Sequence, residues 1–296
     1  MQKSSIYLPT PLKEALGAAA RRSGRSEADF IRAAIETAID HSLSGTTASG
    51  EQRRRAPRPL LIGVGMGPGA ADLVPRRAIE AIRQADCVIA GSIGPDAIGR
   101  AEAIARAAVG TIRVQRLTID IADSPEQRHQ SIDSAAVQIV AHLDRGETVA
   151  FLTLGDPGMF SVFPALAAAV RLLRPLIPVE RIPGIMAFQE LAARTDAVIG
   201  DEGGSVRIVA VGKDIDEHAD AIRDSVDRDS ETLVLYRGGR GVPAIVGRLT
   251  AAGRSNGAVV GEMLGLPGER VAPAAEFADD PASYLACLVA PARNPR

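Results

Sequence analysis

Cysteine is scarce in this chain. Cys87 and Cys287 are the only two in 296 residues, and their wide separation excludes a disulfide framework and a CxxC metal site. Histidine is also sparse: His41, His129, His142 and His218 are scattered, with no HExxH spacing. No metal is therefore expected. Aromatic residues make up 3% of the chain and tryptophan is absent. No run approaches the roughly 18 uncharged apolar residues that a membrane span needs. Lys3, Lys13 and Glu14 interrupt the first residues, so a secretory signal is not expected and a cytoplasmic protein is. Net charge is only −2, from 34 basic and 36 acidic residues, too balanced for a chain-wide nucleic-acid surface. Lysine is nearly missing: Lys3, Lys13 and Lys213 are the only ones, and arginine supplies the rest of the positive charge. Arginine suits bidentate recognition of carboxylates and phosphates, although codon composition accounts equally well for such a bias.

What is present is an alanine- and glycine-rich chain, 46% hydrophobic, about twice the length of a typical domain. Residues 42–58, SLSGTTASGEQRRRAPR, lack apolar periodicity and read as a flexible linker. In front of it, KSSIYLP (3–9) alternates as a strand does, and Pro9 and Pro11 end it. Leu12, Leu16, Ala19 and Ala20 repeat at helical spacing up to Ser23-Gly24. Ser26 is suited to cap a second helix with Glu27 and Asp29 in its first turn and Phe30, Ile31, Ala34, Ile35, Ala38 and Ile39 on its apolar stripe. One strand and two helices of this size cannot bury an adequate core alone, and the lone strand leaves an open edge. Pairing two copies solves both problems. The layout resembles a ribbon-helix-helix (β-α-α) module over residues 1–41. That resemblance implies a homodimer, and implies that Lys3, Ser5 and Tyr7 face DNA bases. Six basic residues against five acidic ones before the linker supply little phosphate neutralisation, so dimerisation alone is the other reading.

Beyond the linker, PLLIGVGMGPG (59–69) reads as a buried strand feeding a glycine loop. DLVPRRAIEAIRQA (72–85) reads as a helix with Leu73, Ala78, Ile79 and Ile82 inward, and Cys87-Val88-Ile89-Ala90 as the next strand. This is a βαβ unit. Gly65, Gly67 and Ala70 satisfy GxGxxA, yet Pro68 removes an amide from the loop and Ala90-Gly91-Ser92 offers no acid for a ribose, so a dinucleotide site is not indicated. In GETVAFLTLGDPGMF (146–160) a strand ends at Gly155-Asp156-Pro157, where Asp156 and Pro157 have helix-capping character. In VERIPGIMAFQELAARTD (179–196) a strand reaches Ile182, turns at Pro183-Gly184 and becomes a helix. All three glycine corners follow strands, where open α/β sheets bind ligands.

Together, GVGMGPG, LGDP and PGIMAF resemble the tetrapyrrole (precorrin) methyltransferase family from about residue 59 to the C-terminus. The resemblance implies two α/β domains, 59–174 and 178–296, joined through Arg174-Pro175-Leu176-Ile177-Pro178, with S-adenosylmethionine between them. It implies cofactor contacts from Gly67, Pro68, Gly155, Asp156, Met159, Met186, Ala187, Tyr236 and Arg237. Met159 and Met186 taken singly have the character of core filler. Methyl transfer is a displacement governed by alignment and desolvation, so no catalytic triad is required and no acid or base is assigned. Phe160 stands where many relatives have tyrosine, Val74-Pro75 replaces a common Leu-Thr pair, and no aspartate follows the second strand. The last departure weakens a uroporphyrinogen reading. Arg194, Arg237 and Arg240 are candidates for substrate carboxylates, or else solvated surface charges. PGIMAFQELAAR followed by GDEGGSVRIVAV is most similar to the enzymes that methylate C20 of precorrin-2, in cobalamin synthesis. Another corrin intermediate, a peptide backbone as substrate, or a regulator sensing S-adenosylmethionine or a corrinoid are the alternatives.

Overall fold

The computed structural model describes residues 13, 16, 17, 20, 26–32, 35 and 59–293, apart from 95, 120–123, 212–218, 227, 237 and 238. The chain divides into two compact units, Met1–Ala56 and Pro57–Arg296. In the front unit Lys13, Leu16, Gly17 and Ala20 are helical, as are 27–32 and Ile35. Ser26 caps the second stretch as expected: its Oγ accepts the Asp29 N–H at 3.1 Å and its carbonyl accepts the Phe30 N–H at 3.0 Å. The expected strand at 3–9, with Lys3, Ser5 and Tyr7, and the linker at 42–58 lie outside the described residues.

Among the described residues, the larger unit holds two five-stranded sheets. The first is parallel throughout, with strands β1 (Leu60–Gly65), β2 (Cys87–Ser92), β3 (Gln115–Thr118), β4 (Thr148–Thr153) and β5 (Val179–Ile182) in the order β3-β2-β4-β1-β5. Four helices serve it: α1 (Arg76–Gln84), α2 (Arg100–Val109), α3 (Pro125–Leu143) and α4 (Phe163–Leu173). Alternation along the strands feeds two cores. Leu61, Ile89, Val149 and Phe151 pack on α3 and α4 through Ile139, Leu166 and Val170. Ile62, Val88, Ala150 and Leu152 pack on α1 and α2 through Ala78, Ile82, Ile104 and Ala105. Both faces are covered, which is why these strands read as continuous apolar runs.

The second sheet has β6 (Ser205–Ala210), β7 (Glu231–Tyr236), β8 (Val259–Glu262), β9 (Arg270–Pro273) and β10 (Ala286–Ala290) in the order β6-β7-β10-β8-β9. Only β6 and β7 run parallel; the other pairs are antiparallel. Leu233, Leu235, Leu288 and Val260 face α6 (Ala219–Val226) and α7 (Val242–Ala251). On the opposite face Val234, Cys287 and Val289 meet Leu191 of α5 (Ala187–Thr195).

Three details differ from the sequence reading. Helix α1 begins at Arg76, after a separate 3₁₀ turn at Ala71–Leu73, because Pro75 disfavours helical backbone at Val74. No helix follows Pro157 directly; the next one starts at Phe163. The Arg174–Pro178 connection leads into β5, which pairs with β1 of the first sheet. The chain therefore leaves the first sheet after Ile182, later than the expected boundary at 174–178.

Candidate active site

The ends of β4, β1 and β5 are neighbours in the sheet, so the three glycine corners meet. Backbone pairing continues past the strands: Gly155 N–H donates to the Gly67 carbonyl at 2.8 Å, and Met66 N–H to the Thr153 carbonyl at 2.9 Å. A Cβ on Gly65 would lie 2.5 Å from Gly184 N, and one on Gly184 would overlap the Gly155 carbonyl oxygen. Gly155 takes the left-handed φ of +67°, where an added Cβ would also press on Met186 Sδ at 3.3 Å. Side chains are excluded here by close backbone approach.

Asp156 holds this junction closed. Its Oδ2 accepts the Gly184 N–H at 3.0 Å and its Oδ1 accepts the Gly158 N–H at 2.7 Å. Its carboxylate thus ties the second corner to the third rather than capping a helix. The third corner then starts α5, with Met186 N–H donating to Gln189 Oε1 at 2.8 Å.

These corners floor a cavity of about 580 Å³ that reaches both sheets. Of the residues that the resemblance assigns to the cofactor, Pro68, Gly155, Met159, Met186, Ala187 and Tyr236 line it. Gly67 and Asp156 lie outside the lining. Arg237 lies outside the described residues. Arg194 is not on the lining: it forms ion pairs with Glu190 and, at 2.6 Å, with Glu269. Arg240 falls in the 3₁₀ turn Gly239–Gly241.

Tyr236 forms the wall from the second sheet. Its Oη accepts the Phe188 N–H at 3.0 Å, and its ring packs against Phe160 and Phe188 with centroids 5.6 and 6.1 Å away. Burial pushes its phenol well above the usual tyrosine range, and burial does the same to the Cys287 thiol beside it. Both are neutral at physiological pH, so neither is a ready base. Phe160 and Met263 take left-handed backbone at φ 50° and 52° and both line the cavity, one from each sheet's chain. Conformations of this kind tend to collect at functional sites.

The lining also includes residues that no motif marked, among them Ile93, Ile98, Arg100 and Arg128. The glycine corners carry a loop signature, whereas these four lie in ordinary helical and turn sequence.

The Tetrapyrrole (Corrin/Porphyrin) Methylases family matches residues 60–278. The chain belongs to the tetrapyrrole methylases. This methylase is 32% identical to a precorrin-2 C(20)-methyltransferase from Sinorhizobium sp, covering 78% of this chain and 94% of the relative. It is 26% identical to the cobalt-precorrin-2 C(20)-methyltransferase of Salmonella typhimurium, covering 71% and 86%. Among solved structures, the cobalt precorrin-4 methyltransferase CbiF matches with a TM-score of 0.62 at 17% identity, over 83% of this chain and all of that one. The uroporphyrin-III C-methyl transferase of Thermus thermophilus, complexed with S-adenyl homocysteine, matches with a TM-score of 0.52 at 21% identity, over 77% and 96%. These structural likenesses establish the fold. Among the described residues, no helix is long and apolar enough to cross a membrane.

Proposed function

We propose that this methylase transfers a methyl group from S-adenosylmethionine to C20 of precorrin-2, giving precorrin-3A in cobalamin synthesis. The observation that carries the reading is the convergence of three glycine corners on one cleft, in a chain that matches a precorrin-2 C(20)-methyltransferase over 94% of that relative's length.

The residues present suit the donor. Pro68, Gly155, Met159, Met186, Ala187 and Tyr236 offer an apolar wall and exposed backbone, with Gly67 and Asp156 shaping it from behind. Gly155 supplies a surface that a Cβ would fill. When bound, S-adenosylmethionine supplies an activated methyl group on sulfur. The chain's part is to hold the acceptor carbon in line and to exclude water. Neutral Tyr236 and Cys287 fit that role, since the step needs no charged side chain beside the transferring methyl.

Pairing of two chains through residues 3–41 belongs to the same proposal, with DNA contact by Lys3, Ser5 and Tyr7 as the alternative use of that module. Two free thiols suit a reducing, cytoplasmic compartment. The test is calorimetric titration with S-adenosylhomocysteine, followed by mass spectrometry of products from labelled cofactor and a panel of precorrins, including the cobalt form of precorrin-2. The expected result is one added methyl on precorrin-2. Cofactor binding with no precorrin methylated would remove the enzyme reading in favour of a sensor. A gel shift with and without residues 1–45 then separates a dimerisation module from a DNA-binding one.

A further inference from the structure

We propose that Arg100 and Arg128 are the side chains that hold the substrate's carboxylates, and that Ile93 and Ile98 form the apolar ledge under its ring. This rests on reading the cleft as a tetrapyrrole site. Among the described residues lining the cavity, Arg100 and Arg128 are the only charged side chains. No aspartate, glutamate, lysine or histidine among the described residues lines it. A wall whose described charges are two positive and none negative favours anions.

Several other arginines are committed to carboxylates: Arg106 and Arg116 to buried Glu102, Arg145 to Glu147, Arg174 to Asp144, Arg194 to Glu190 and Glu269. Exposed Arg83, Arg113, Arg171 and Arg181 pair with no carboxylate among the described residues, but none of those four lines the cavity. Arg100 and Arg128 are exposed, and neither pairs with a carboxylate among the described residues. Helix stability does not explain Arg100. It is the first residue of α2, where a positive charge opposes the helix dipole.

The ledge makes the same point from the apolar side. Ile93 is 75% exposed and Ile98 58% exposed, yet both line the cavity. Large apolar side chains left uncovered at a cleft are suited to a ligand that covers them. An apolar ledge with two free guanidiniums fits a flat ring bearing peripheral carboxylates, where the arginine fork can bind bidentately. All four residues come from the segment after β2, the first residue of α2, and α3. The expected cofactor contacts come from the loops after β1 and β4, the start of α5 and the end of β7. Substrate and cofactor binding should therefore separate by mutation.

The experiment compares the full chain with Arg100→Gln, Arg128→Gln and the double variant. Uroporphyrin, a stable polycarboxylate macrocycle, is titrated by fluorescence quenching, and S-adenosylhomocysteine is titrated by calorimetry in parallel. Each single substitution should weaken uroporphyrin binding about tenfold, one charge-assisted contact's worth. S-adenosylhomocysteine affinity should stay within about twofold of the parent. KM for precorrin-2 should rise more than kcat falls, and Arg100→Lys should recover part of the loss. The fully esterified macrocycle should bind weakly and alike to all variants. If the parent methylates precorrin-2 and the double variant binds uroporphyrin as tightly as the parent, the assignment of these two arginines is overturned. If the parent binds S-adenosylhomocysteine but neither binds uroporphyrin nor methylates any precorrin, the tetrapyrrole reading falls and takes this inference with it.

Discussion

Asp156→Ala is the perturbation that distinguishes a clamp from a direct cofactor ligand. The carboxylate accepts two backbone N–H groups, Gly184 at 3.0 Å and Gly158 at 2.7 Å. The Gly158 contact is exposed and the Gly184 contact is partly buried. Charge-assisted bonds contribute more than neutral ones, but the exposed member is discounted for competition with water. The pair together is worth about 2 kcal/mol on that basis. For a unit of this size that corresponds to a fall in Tm of about 4–8 °C. The Gly184 bond also positions the third corner against the first, so S-adenosylhomocysteine affinity should fall as well. Asp156→Asn keeps an acceptor for one N–H and should lie between the parent and the alanine variant in both properties. Thermal unfolding and calorimetric titration read the two losses on the same samples. Unchanged Tm with abolished S-adenosylhomocysteine binding in Asp156→Ala would refute the clamp and make Asp156 a direct ligand.

Three further outcomes follow from packing and charge. Gly184→Ala should cost about 3 kcal/mol, because its Cβ overlaps the Gly155 carbonyl and lies 2.9 Å from Gly65 Cα; Gly247→Ala in α7, with nothing within 4 Å, should be neutral or stabilising in the same urea titration. Arg254 is 2% exposed and donates to the carbonyls of Ser225, Val226, Arg228, Glu231, Ala290 and Pro291, with the Glu231 contact at 2.6 Å. Arg254→Met should therefore lose about 3–5 kcal/mol, and Arg254→Lys should recover little because an ammonium cannot span α6, β7 and β10. Arg145 first, and His142 second, hold the Glu147 carboxyl at about 2 against an ordinary 4.5. That stabilisation is present above about pH 4.5 and is lost as pH falls toward 2. Glu147→Gln should flatten the acid limb of a urea-midpoint profile within that window and leave its shape at neutral pH unchanged.

The site's floor was legible because glycine is informative where backbones touch. Gly65 and Gly184 stand where a Cβ would collide and Gly155 takes a left-handed φ, so the strand-then-glycine patterns mark the crevice in the sequence. Apolar runs such as Leu60–Gly65 likewise marked parallel strands buried on both faces. Other features were hidden for physical reasons. Asp156-Pro157 has the chemistry of a helix cap, and only the fold reveals that its carboxylate reaches Gly184, 28 residues away in sequence. Arg174-Pro175 looks like a domain joint, whereas β5 is a four-residue edge strand too short to announce itself. Arg100 and Arg128 are inconspicuous in an arginine-rich chain, because what distinguishes them is their place on the cavity wall, where no carboxylate among the described residues joins them. Arg194, by contrast, looked available until Glu269 arrived from a distant turn to pair with it.

The central claim is that one crevice holds a methyl donor against a large anionic ring. Nuclear magnetic resonance of the product formed from precorrin-2 and methyl-labelled S-adenosylmethionine tests it most directly. The account predicts a single labelled methyl, bonded to C20. Label at a different ring carbon, or none in any precorrin despite saturated cofactor, would contradict it.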